Sequence, residues 1–104
     1  MSQKDKVEQH HYNYMIHRKH MKFHAMEARN KKNPPHVRVM HIGLQTLAGH
    51  ATRDSKDARE TWKVHSERTP RTDLADLRSN DSVDNYGKAY LSLIMNGHIK
   101  QMKE

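Results

Sequence analysis

The chain has 104 residues, of which 34% are apolar, 6% aromatic and 30% charged, so it has material for one modest core and none for a second catalytic domain. Lys and Arg outnumber the acids 19 to 12, and the net charge of +7 points to an anionic partner such as nucleic acid, a nucleotide-like phosphoanion or an acidic protein. The absence of cysteine excludes a disulfide frame, a thiolate nucleophile and any Cys-containing zinc site; with no stretch as long and apolar as a membrane span, the expected setting is cytoplasmic, in the cell of origin or in a host.

In chain order, residues 4–32 contain neither Pro nor Gly and are rich in helix formers, which predicts one long first helix. At about 100° per residue it carries opposed apolar stripes: Tyr12, Met15, Ile16, Phe23 and Met26 on one side, Val7, Tyr14, Met21, Ala25 and Ala28 on the other. Between them run polar seams, one of His11, Arg18, Lys22 and Arg29, the other of Lys6, His10, Asn13, His17, His20, His24 and Lys31. Pro34 and Pro35 end this helix, because proline lacks a backbone donor and forces the residue before it out of the helical region. Beyond them Val37, Met40, Leu44, Leu47, Ala48, Ala51, Ser55, Ala58 and Trp62 keep a helical period, which predicts a second helix over about 36–67. The short connection makes the pair a long antiparallel hairpin.

Thr72 is placed to cap a short helix over about 73–78, Ser79–Ser82 reads as a loop, and Ser82 can cap a last helix over about 83–96. Val83, Tyr86, Tyr90, Leu93 and Ile94 form its apolar face, and Gly97 suits the position just past its end. The expected architecture is all-α, a single helical domain over residues 1–104. One hairpin partner covers only one of the opposed stripes, so the other is expected to be buried in a homo-oligomer or under the last helix.

The functional reading rests on charge. Residues 1–36 carry eight Lys and Arg against three acids, residues 37–71 seven against four, and residues 72–104 four against five, which puts the anion-facing surface in the N-terminal half. Arg18, Lys19, Lys22, Arg29, Lys31 and Lys32 form a basic ridge, interleaved with Tyr12 and Tyr14, which can stack on bases, and with His17, His20 and His24, which can donate to phosphate oxygens. The expectation is a non-enzymatic, cofactor-free basic helical protein that binds nucleic acid or a phosphoanion through its first helix. Attraction is then expected to grow as these histidines protonate. A second expectation is a small protein-binding regulator or inhibitor, of the kind that phages and mobile elements encode, acting on an acidic surface of a larger host enzyme. A third is a metal-binding bundle in which His17, His20 and His24, at i, i+3 and i+7, supply imidazole ligands. No phosphate-cradling glycine loop, nucleophile elbow or paired-histidine zinc motif is present in the sequence.

Overall fold

The computed structural model describes residues 2–103, whose regular structure is three α-helices with no strand: α1 (Gln3–Arg29), α2 (Pro35–Lys63) and α3 (Pro70–Met95). They form a rod of 49 × 20 × 20 Å. Each boundary has a local cause. Ser2 caps α1 by accepting from the Asp5 backbone N–H at 3.2 Å, and Asp5 sits in the first turn, where a negative charge complements the helix dipole. α1 stops at Arg29, and α2 begins with Pro35 in its first turn, where the missing N–H costs nothing.

α2 ends at Lys63, short of the expected 67, because residues 64–69 are needed to reverse the chain before Pro70 opens α3. α3 is capped by Thr69, not Thr72: the two threonines form a reciprocal capping box. The predicted short helix, loop and last helix are therefore corrected to one continuous α3. The serines that read as loop and cap residues find partners on α2 instead. Ser79 Oγ lies 3.1 Å from Ser55 Oγ, and Ser82 Oγ donates to Asp54. Polar side chains compete with helix only while they lack such tertiary partners.

The inward line of α2 is Val37, His41, Leu44, Ala48, Ala51, Ser55, Ala58 and Trp62, spaced alternately by four and three residues. That 3.5-residue period keeps one seam facing its neighbours along a slightly supercoiled bundle. Ala48, Ala51, Ser55 and Ala58 are fully buried, and their small size lets helices approach closely. α2 runs back along α1: Gln3 Nε2 donates to the Trp62 carbonyl at 2.8 Å near one end, and Arg38 Nε donates to the Ala28 carbonyl at 2.8 Å near the other.

The apolar core, centred on Leu44, Ala48, Tyr86 and Ile99, lies between α2 and α3. Ile99 reaches it because α3 closes in a Schellman motif, with His98 N–H donating to the Leu93 carbonyl, Gly97 N–H to the Ile94 carbonyl, and Gly97 at φ +72°. The C-terminal tail then folds back along α3, held where the Met102 backbone N–H donates to the Tyr90 hydroxyl at 2.6 Å. No helix is long and apolar enough to cross a membrane among the described residues.

Candidate anion-binding face and the buried histidine row

α1 faces the bundle with Gln3, Val7, His10, Tyr14, His17, Met21, His24 and Ala28, the same four-and-three spacing as α2. Three of its four most buried residues are therefore histidines: His10, His17 and His24 are 1%, 5% and 0% exposed. The histidines of the second polar seam therefore turn inward, whereas its Lys31 lies exposed beyond the end of α1. His17 and His24 thus cannot serve as an exposed phosphate-binding row, and His20 is half-buried beside them.

An imidazole buried this deeply must be neutral or matched to an acid, since desolvation penalises its charged form. The protein uses both solutions. Near the N-terminal end of α1, His10 Nε2 donates to Asp76 Oδ1 on α3 at 2.7 Å, and Trp62 Nε1 donates to the same oxygen at 2.8 Å. Lys6 Nζ pairs with Asp76 Oδ2 at 3.1 Å. Burial alone would raise the Asp76 carboxyl, but these hydrogen bonds and the Lys6 charge outweigh it and hold the group below its ordinary value.

Further along, the rings meet one another. His20 stacks on Tyr86 and Tyr86 on Tyr90, with centroids 5.1 and 5.7 Å apart, while His17 meets Tyr86 edge-on at 5.4 Å. His17 Nδ1 lies 3.2 Å from His20 Nδ1, His24 Nδ1 lies 2.9 Å from His41 Nδ1, and His24 Nε2 lies 2.7 Å from the Tyr86 hydroxyl. One placement of protons leaves no fully buried donor of the last chain without an acceptor: Tyr86 O–H donates to His24 Nε2, His24 Nδ1–H donates to His41 Nδ1, and His41 keeps its own proton on Nε2. The reverse order strands the Tyr86 hydroxyl hydrogen in a buried site, at a cost of about 1–3 kcal/mol.

These contacts need neutral rings. Desolvation, joined by the neighbouring His20, pushes His17 down to about 4, and desolvation with His41 and His20 does the same to His24. Burial lowers His20 as well; it also lowers His41, against the opposing pull of the Glu27 carboxylate. Burial, helped by Tyr90, raises the Tyr86 phenol, so it remains a donor. The trio considered as a metal site is split, His17 pairing with His20 and His24 with His41. Among the described residues no group of three His, Asp or Glu is arranged to hold a metal ion.

The cations sort the opposite way. Arg18, Lys19, Lys22, Arg29, Lys31 and Lys32 are all exposed, and none takes part in an ion pair among the described residues. The tyrosines separate: Tyr12 is 62% exposed, whereas Tyr14 is half-buried under the Arg59 guanidinium, whose carbon lies 4.9 Å from the ring centroid. The structure therefore gathers six cations and Tyr12 outside and takes His17, His20, His24 and Tyr14 inward.

Sequence reasoning missed His41, Tyr86 and Asp76 as partners of the histidines. The available signal was the spacing of His10, His17 and His24 by sevens, in phase with Val7, Tyr14, Met21 and Ala28. No protein-family model, curated protein or solved structure matches the chain.

Proposed function

We propose that this is a non-enzymatic helical protein that binds a polyanion, nucleic acid first, through the outward side of α1 and the turn that follows it. The observation that carries this reading is the set of six exposed cations between residues 18 and 32 that form no ion pair among the described residues, in a stretch that holds a single acid, Glu27. Glu27 is itself engaged, its Oε2 accepting from Asn33 Nδ2 at 2.7 Å. From Arg18 to Arg29 the helix advances about 16 Å, a length over which duplex DNA presents roughly ten phosphate charges. Exposed Tyr12 adds a stacking surface for an unpaired base.

The test is fluorescence anisotropy with a mixed-sequence duplex and a single-stranded RNA of equal length, at several salt concentrations and pH 7.5. Binding should weaken steeply as salt rises, and the triple change Arg18→Ala, Lys19→Ala and Lys22→Ala should weaken it for every sequence and flatten the salt slope by up to about three counterions. Absence of binding in 50 mM salt, or a triple variant that binds like the parent, would refute it.

One observation favours a second reading. Tyr12, Met15 and Met26 are 62%, 47% and 56% exposed, on the same outward half of α1 as the cations. Apolar side chains among unpaired cations suit an acidic protein surface with hydrophobic spots, as the regulator or inhibitor reading requires, or a second copy of the chain. A single partner retained after nuclease treatment would favour it.

A further inference from the structure

Where the α1–α2 turn meets the C-terminal tail, a cleft of about 750 Å³ opens between the helix ends. That is within the size range of small-molecule sites. Phe23, Met26, Val37 and Ile99 supply an apolar lining, and Lys100 and Lys103 stand at it as exposed cations without an ion pair among the described residues. Among the described residues Glu27 is the one acid of the lining.

One polar group in this cleft is built in. His41 lines it, yet the residue is only 3% exposed. Its Nδ1 is committed to His24, and its Nε2 makes no hydrogen bond to any described residue. The proton order that satisfies Tyr86 and His24 leaves the His41 proton on Nε2. An oriented N–H donor therefore waits at an apolar cleft with two lysines at hand.

We propose that this cleft binds a small organic acid, with a ring-sized apolar body seated against Phe23, Met26, Val37 and Ile99 and an anionic oxygen accepting from His41 Nε2. The apolar body gains from leaving water, and the anion meets a donor already oriented by the chain behind it. Among the described residues Lys100 and Lys103 outweigh the Glu27 charge at this cleft and favour an acid over an amine. This site is separate from the outward cations of α1 and does not depend on the polyanion reading.

The experiment is a titration of the ¹⁵N-labelled protein with 2-naphthoate at pH 7.5, with 2-naphthylmethanol as the uncharged counterpart. Saturable shifts are expected at residues 33–37, 41 and 97–103, with the alcohol binding at least five-fold more weakly. His41→Phe should weaken naphthoate at least ten-fold. Because that change also cuts the chain to Tyr86, Met26→Trp is the companion variant: Met26 is 56% exposed, so the fold should tolerate an indole that fills the cleft, and the shifts should vanish while the melting temperature holds. The proposal is overturned if naphthoate gives no saturable shift at millimolar concentration. It also fails if the shifts map only to Arg18, Lys22 and Arg29, or if they persist in Met26→Trp.

Discussion

The seam between α2 and α3 and the seam that α1 presents to the bundle share one helical spacing and differ in chemistry. The first is filled by Leu44, Ala48, Leu47, Leu93, Ile94 and Ile99, whose burial depends on area alone, and Tyr86 is shared between the two seams. The second is filled by His10 against Asp76 and by His17, His20 and His24 against Tyr86, and the burial of these last three also depends on protonation. Equal periodicity can therefore give one seam of aliphatic contacts and another in which His17, His20 and His24 must stay neutral. Close packing on one side lends the chain stability, while directional hydrogen bonds on the other fix which rings meet.

The largest expected effect separates the two seams by acid. An unfolded imidazole takes up its proton near pH 6.5, but His17 and His24 in the fold do so only near 4. Between these values the unfolded chain binds more protons, so stability is fully present above about 6.5 and is lost as pH falls toward 4. Each histidine held neutral contributes a slope of about 1.4 kcal/mol per pH unit, so over the window between these values the two together remove up to about 7 kcal/mol, enough to unfold a domain at the lower end of the usual 5–15 kcal/mol. Circular dichroism from pH 7.5 to 3.5 should show cooperative loss of helix with a midpoint between about 4 and 6. A fold unchanged at pH 4 would mean that the rings are not buried neutral.

The next effect belongs to the apolar seam. Leu44 is 1% exposed, and Leu44→Ala should cost about 2–5 kcal/mol through lost contact and the cavity left behind. Measured by urea unfolding at pH 7 and pH 6, that cost should be the same at both, because no titrating group is removed. A strongly pH-dependent cost would show that the seams are not independent.

The smallest effect probes the point where acid, imidazole and indole meet. Asp76→Asn keeps the shape but turns a carboxylate that accepts from Trp62, His10 and Lys6 into a group with one acceptor oxygen. The expected loss is about 1–3 kcal/mol at pH 7. Since the folded Asp76 carboxyl titrates below its ordinary value, its contribution is present above the unfolded value near 3.8 and disappears only as pH falls through the lower folded one. The difference between Asp76→Asn and the parent should therefore stay constant from pH 7 down to the onset of histidine-driven unfolding. A difference that shrinks near pH 6 would contradict this assignment.

The sequence by itself determined the features whose causes lie within a helical turn or two. It located the break at Pro34 and Pro35, the inward line of α2 through Ser55 to Trp62, the burial of Tyr86, and the glycine that ends α3. It also marked the six cations of residues 18–32, which need no partner in the fold to remain outside. Tertiary structure decided the rest. A histidine seam read one helix at a time is polar and belongs in water; it went inside because Asp76, 66 residues from His10, and Tyr86, 62 residues from His24, are there to receive it. Likewise Ser79 and Ser82 mark a loop only until Ser55 and Asp54 arrive from α2. The physical reason is the same in both cases. Whether a polar side chain can be buried is set by the hydrogen-bond partner it meets, and that partner lies far away along the chain.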